Sequence, residues 1–400
     1  MTVQQRFPHV VIVGGSLGGL SAGLFLRAVG CRVTLFERSP APLIGLGAGI
    51  VLNPATIRYF TQQGTPALDT ISVASQWVHY LDAQGAPVAV LREPYRFSAY
   101  NALYGALLDA FGREDYHLGA TMTGFTQDAT GVVVHLQDGR QAPCDLLVCA
   151  DGIRSTARRH LLPTVELQYA GYVAWRGIVP ASALPPATVA ALADVISYHI
   201  MPHSHFLTYP IPGKAEATDG LPWLNWLWYR NVPAGAALTQ LLTDRQGVVR
   251  DVSLAPGAVS AAAIDQMRAD SALALPPLLA DLLMRAEHPF LQVVMDCAVP
   301  RMAFGRVCLI GDAAFVARPH TAAGTAKAAE DGWQLAQALQ ATQGDVIQAL
   351  QQWEPHQLAL GEALLARART AGQRVQVDNT WPVGAPLPLG LYAEGDSQLL

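Results

Sequence analysis

The residues of this chain best suited to chemistry fall in three short stretches separated by long intervals. The first runs from Val10 to Leu20, VVIVGGSLGGL, and is followed by Glu37 and Arg38. The second is CADGIRSTARR, Cys149 to Arg159, and the third is VCLIGDAAFVARPHTAAGTAKAAEDG, Val307 to Gly332. In the first stretch a β-branched run leads into Gly14, Gly15, Ser16, Leu17 and Gly19, a strand–turn–helix whose unpaired N–H groups and helix dipole suit a pyrophosphate. Glu37 follows Gly14 at about the twenty-residue offset at which an acid accepts hydrogen bonds from a ribose. Ser16 stands where the G-x-G-x-x-G pattern has its second Gly, so the match is imperfect.

That departure opens a rival reading. Gly14-Gly15-Ser16-Leu17-Gly18 also fits G-x-S-x-G, the nucleophile elbow of serine hydrolases, which likewise joins a strand to a helix. The motif lies on what reads as the first strand, leaving no room for the strands that would precede it in a hydrolase sheet. It would also leave Glu37 and the two later stretches without a role, so dinucleotide binding is the better reading.

These residues must be positioned by alternating elements. The pattern predicts a strand at Val10–Val13, a helix at about Leu17–Val29, a strand at Arg32–Phe36 and a helix near Pro54–Gln63, entered through the Gly-rich loop GLGAGIVLNP. Strands follow at Val73–Leu81 and Val88–Arg92, then a helix at Ala102–Gly112. Thr121–Gln127, Val132–Gln137 and Asp145–Cys149 read as a meander returning to the main sheet. Tyr169 to Val232 is strand-rich and aromatic, Ala- and Leu-rich helices run to about Ala286, and Leu291–Met295 and Val307–Ile310 read as strands. Helices at Ala322–Gln340 and Asp345–Gln373 precede a Pro/Gly-rich tail expected to wrap the surface.

Four hundred residues suffice for two domains or one elaborated domain. With 51% hydrophobic and 14% charged residues the chain is apolar, yet its longest apolar stretch is broken by Gly and Ser, so no membrane span is expected. A net charge of −5 without a Lys/Arg cluster argues against a nucleic-acid partner. The five Cys lack C-x-x-C pairing and read as reduced core residues of a cytoplasmic protein, not as metal ligands. His199, His203 and His205 have loose metal-like spacing but no accompanying carboxylate or Cys, and no metal is expected.

Taken in order, the three stretches resemble those of the single-component flavin-dependent aromatic hydroxylases related to p-hydroxybenzoate hydroxylase, over Val10 to about Gln340. Within that family GLGAGIVLNP, GYVAWRG, YPIPG and GDAAFVARPHTAAGTAK are most similar to members acting on dihydroxypyridines. The resemblance implies an α/β fold with an α+β insert: a Rossmann-like FAD-binding domain (1–72, 98–166 and 290–375), an inserted antiparallel-sheet substrate domain (73–97 and 167–289), a C-terminal helix and a tail (376–400). It implies FAD as cofactor, with Asp151, Gly152 and Arg158 in the family's Asp-Gly motif. Gly311 and Asp312 would hold the ribityl chain, and Pro319, Ala322, Ala323, Gly324, Thr325 and Ala326 would lie near the flavin ring. It further implies NADH or NADPH and O2 as co-substrates, a flavin hydroperoxide as oxidant, a small hydroxylated (hetero)aromatic substrate such as 2,6-dihydroxypyridine, and a homodimer.

Three departures bear on the ring environment. Phe315 replaces a common His, with His320 offered instead two residues after Arg318; Lys327 replaces a common Asn, and Tyr100 an Arg that reaches the pyrophosphate in many relatives, leaving Arg38 or Arg96 as substitutes. An ionised substrate hydroxyl makes the neighbouring ring carbon more nucleophilic, so a base or proton relay is expected near it. His205 and Tyr209, four apart on one strand and therefore on one face, are the candidates. Trp175 and Arg176 line the pocket or pair sheets, and Trp226 and Trp228 read as packing. The remaining alternative is another FAD oxidoreductase, such as a reductase or a hydroxylase of a related hydroxynicotinate or phenol.

Overall fold

The computed structural model describes residues 7–45, 49–213 and 221–398. Part of the expected Gly-rich loop, Leu46 to Ala48, lies outside the described residues.

Five short parallel strands and one antiparallel edge strand form the first sheet. Its order is Ala303–Phe304, Val307–Leu309, Leu146–Cys149, His9–Val13, Arg32–Phe36 and Tyr116–His117. These strands are buried on both faces, as parallel strands must be when crossover helices cover them. The chain leaves His9–Val13 toward Arg32–Phe36 on one side and reaches Leu146–Cys149 on the other. A crevice therefore opens at the C-terminal ends of adjacent strands, where the connections diverge. All three chemical stretches end there: Gly14 and Glu37, Asp151, and Gly311 each follow one of these strands.

Nine strands form the second, mainly antiparallel sheet, in the order 253–254, 290–296, 168–180, 223–231, 204–211, 195–201, 73–81, 87–99 and 49–51. Alternation gives it two chemically different faces. Trp175, Phe206, Trp226 and Trp228 pack under the helices Ala261–Ala274 and Pro277–Met284. Tyr172, Leu207, Tyr209 and Tyr229 point the other way, toward the first sheet.

Several sequence expectations need correction. The strand read as Val88–Arg92 continues to Ala99; Pro94 is tolerated because it lies at a register shift opposite Ser75 and Trp77, where no ladder bond is required. Met122–Gln127, Val132–Leu136 and Gln141–Cys144 form a separate three-stranded sheet, and only Leu146–Cys149 joins the parallel one. Gly49–Val51 and Phe290–Asp296, grouped by sequence with the nucleotide segments, pair instead in the nine-stranded sheet. The tail is no surface wrap: Leu387, Leu389 and Leu391 are fully buried, because the tail threads between the second sheet and the long helix Val346–Gly372.

Candidate active site

Gly14 holds φ +105°, and a Cβ there would lie 2.1 Å from the Ala150 carbonyl oxygen, so only Gly lets the two strand ends meet. A Cβ on Gly19 would strike the Gly14 carbonyl at 1.9 Å, which explains how closely the helix Leu17–Ala28 seats on its strand. Glu37 accepts the Gly15 N–H (2.7 Å) and the Ser39 N–H (2.8 Å), so its carboxylate is fixed by backbone at the cavity wall. Ser16 caps the helix by position, and its hydroxyl lies 2.8 Å from that of Tyr100, the two departures from the family pattern meeting each other. Burial pushes the Tyr100 phenol up to about 12, so it stays protonated.

Arg158 joins the second stretch to the third. It is 3% exposed and donates to the carbonyls of Ile153, Asp312 (3.0 Å) and Ala313 (3.1 Å). Asp151 Oδ2 accepts the Thr156 and Ala157 N–H groups, while Oδ1 is buried without a partner. The Asp312 carboxyl is exposed to the cavity, and desolvation by the surrounding protein pushes it up to about 6, against the opposing pull of the Arg158 cation. Pro319–Thr321 makes one tight turn, Ala322 takes a left-handed conformation, and Gly324 opens an 18-residue helix whose first N–H groups face the same space.

A single cavity of about 840 Å³ receives nearly all of these groups. Gly14, Ser16, Leu17, Glu37, Arg38, Asp151, Gly311, Asp312, Pro319, Ala322, Ala323, Gly324 and Thr325 line it, as do His205 and Tyr209. Gly15, Gly19 and Ala326 support its wall from behind. Phe315 and Lys327 also stand behind the wall: Lys327 is buried, bonds Asp331 at 2.5 Å and sits 5.5 Å from the Phe315 ring. The orphaned Asp151 oxygen, the open Asp312 carboxyl and the backbone cradle around Gly14 fit a dinucleotide with polar ribose and ribityl hydroxyls.

The far half of the cavity is walled by the nine-stranded sheet. His205 and Tyr209 do share a face, together with Tyr198 and Tyr229 from neighbouring strands. Desolvation lowers His205 to about 4 and raises Tyr209 to about 12, the latter opposed by the Arg176 cation. At neutral pH, then, both side chains are uncharged. Arg176 lines the cavity while Trp175 packs in the opposite core; its guanidinium donates to Gln292 Oε1 (2.8 Å) and the Gly49 carbonyl (3.1 Å). His199 and His203 turn to other partners, Leu81 and Asn379, so the three histidines do not converge. Among the described residues no cluster of three or more His, Cys, Asp or Glu could hold a metal.

Two further contributors complete the cavity, the second of which escaped the sequence reading. His320, its Nε2 2.7 Å from the Tyr172 hydroxyl, lines the cavity beside Pro319, and burial holds it neutral with help from His205 and Arg318. It is the histidine that the sequence offers in place of the one Phe315 replaces. From the tail, Trp381, Leu387, Pro388 and Leu389 complete the wall; no local pattern connects them with a strand some 180 residues earlier.

The family profile described as FAD binding domain matches residues 8–226 and 287–368, and one described as FAD binding domain-like matches 169–296. The chain is 38% identical to 2,6-dihydroxypyridine 3-monooxygenase of Paenarthrobacter nicotinovorans over 94% of both chains. The chain belongs to the FAD-dependent aromatic-ring monooxygenases. A solved structure of 2,6-dihydroxypyridine-3-hydroxylase from Arthrobacter nicotinovorans superposes on this monooxygenase with a TM-score of 0.91 at 37% identity, covering 97% of this chain and 98% of that one. The 6-hydroxynicotinate 3-monooxygenase of Pseudomonas fluorescens is 25% identical over 94% of this chain and 92% of its own. The monooxygenase thus has the expected α/β architecture and FAD as its cofactor. Among the described residues no helix is long and apolar enough to cross a membrane.

Proposed function

We propose that the monooxygenase hydroxylates a small hydroxylated pyridine, with 2,6-dihydroxypyridine the first candidate, using NADH or NADPH and O2. The observation that carries this reading is the far half of the cavity. It offers a slot with apolar walls at Ile196, Leu207 and Leu389, the cations Arg176 and Arg318, and neutral polar groups on His205, Tyr209, Tyr229 and His320. Such a slot suits a planar ring bearing hydroxyl groups better than an aliphatic chain or a large fused system.

When bound, FAD supplies the reduction of O2 and delivery of one oxygen atom to a ring carbon. The chain's own residues do the rest. Neutral His205 accepts a hydrogen bond from the ring hydroxyl, raising electron density at the neighbouring carbon. The protonated Tyr209 phenol donates a hydrogen bond that orients the ring, and Arg176 stabilises the negative charge that develops on it. Tail and sheet exclude water from the reacting carbon. The five buried, unpaired thiols support residence in a reducing cytoplasm, and a homodimer is part of the same reading, checked by light scattering.

The purified, FAD-loaded protein should consume NADH or NADPH faster when 2,6-dihydroxypyridine is added, with one hydroxylated product per O2. NAD(P)H oxidation that no hydroxypyridine, hydroxynicotinate or phenol accelerates would sink the proposal.

A further inference from the structure

We propose that Gln376, held by Asn231, is the positioning residue that fixes His205 as the Nδ1–H tautomer, so that its Nε2 lone pair faces the substrate slot. This inference deepens the proposed role of His205 and rests on that reading. Gln376 lies beyond both family profiles, which end at 296 and 368.

The hydrogen bonds allow one proton arrangement. Asn231 Nδ2 lies 3.0 Å from the Gln376 main-chain carbonyl. A carbonyl can only accept, so the Asn231 NH2 must be the end that points there, and its Oδ1 must point to the other contact. That contact is Gln376 Nε2, at 2.9 Å, which also reaches the His203 carbonyl at 3.4 Å. The Gln376 amide is thereby oriented with Oε1 toward His205, at 2.7 Å from Nδ1. Oε1 has no proton to give, so Nδ1 carries the hydrogen and Nε2 is left as an acceptor. The opposite tautomer would turn the Gln376 amide over and set its Oε1 against Asn231 Oδ1, two acceptors in contact with no proton between them. Gln376 is fully buried, so water cannot relieve that conflict.

The surroundings do not compete for the ring. Tyr229 stacks on His205 with ring centroids 4.4 Å apart, fixing its plane. His320 approaches to 5.4 Å from the Pro319 turn, already bonded to Tyr172, with Arg318 behind it. On the sheet, Tyr198, Tyr209 and Arg176 face the same space, and from the C-terminal segment the bonded partner is the neutral Gln376 amide. His203, two residues earlier, turns to Asn379. The helix that ends at Gly372 therefore delivers, in the next turn, the group that decides which nitrogen of His205 can take a proton.

The test uses the full-length protein with FAD bound and 15N-labelled histidine. Long-range proton–nitrogen correlations distinguish the tautomers, and the His205 signals are those missing in His205→Gln. We expect the Nδ1–H form in the native protein and a mixed or inverted population in Gln376→Met, with the flavin absorbance unchanged. Gln376→Glu keeps an acceptor and adds a negative charge, so the His205 titration midpoint and the acid limb of kcat/KM should both move up by roughly one pH unit or more. An Nε2–H tautomer in the native protein, or a Gln376→Met variant that loses stability while the tautomer stays put, overturns the inference. The tautomer is read without turnover, so failure of the substrate assignment would show separately, as an absence of hydroxypyridine-stimulated NAD(P)H oxidation.

Discussion

Acidification is expected to destabilise the monooxygenase through His205, by an amount the structure sets. The imidazole is 2% exposed, and burial lowers its pKa from 6.5 to about 4. Between those values the unfolded chain binds a proton that the folded protein refuses, so stability falls as pH drops through 6.5 and stops falling below about 4. Linkage gives a loss of about 1.4 kcal/mol at pH 5.5 and about 2.5 kcal/mol at pH 4.5, relative to neutral pH. For a chain of this size, 2.5 kcal/mol is worth roughly 3 °C in Tm. The assay is differential scanning of apoprotein from pH 7.5 to 4.5, comparing native protein with His205→Gln. Gln keeps a donor for Gln376 but cannot titrate, and His320, Asp312 and the surface carboxylates are common to both proteins. The native protein should lose about 3 °C more than the variant across this range. A Tm difference that stays flat would mean that His205 is not held neutral by burial, and the reasoning about the slot would fail with it.

Four further outcomes follow from the geometry. Gly14→Ala must clear the Ala150 carbonyl and adopt φ +105°, so the protein should lose at least about 3 kcal/mol and purify without flavin absorbance. Asp312→Asn should weaken FAD binding at least about tenfold at pH 8 and remove the loss of affinity that native protein shows as its carboxyl protonates near pH 6, both read by flavin fluorescence titration. Lys327→Met leaves the buried Asp331 carboxylate with only the Gly311 N–H as its partner, which should cost about 3–5 kcal/mol in urea unfolding. Trp381→Ala opens the slot from the tail side, so KM for dihydroxypyridine should rise while the FAD affinity is unchanged.

The nucleotide half was legible because it is local. Gly14, Ser16 and Leu17 act through backbone geometry within one turn, and Glu37 is held by the Gly15 and Ser39 N–H groups that the same strand ends present. The four-residue spacing likewise placed His205 and Tyr209 on one face without any knowledge of what lay opposite. The strand read as Val88–Arg92 stopped short because the bulge that lets it continue through Pro94 is a property of the pair of strands. Phe315 and Lys327 read as departures near the ring, yet the ion pair with Asp331 turns both behind the wall.

The sequence by itself determined a dinucleotide site, since a strand–turn–helix and its acidic partner carry their own geometry, while its resemblance to the flavin-dependent aromatic hydroxylases implied FAD and the chemistry class. Tertiary structure alone decided the far half of the cavity. Arg176, His205, Tyr229, His320 and Leu389 come from five separate segments, and no spacing along the chain encodes their convergence. It also decided the protonation of His205: burial and the amide of Gln376, 171 positions away, decide which form the imidazole takes. A pKa or a tautomer is set by what surrounds a group in space, and only folding brings those surroundings together.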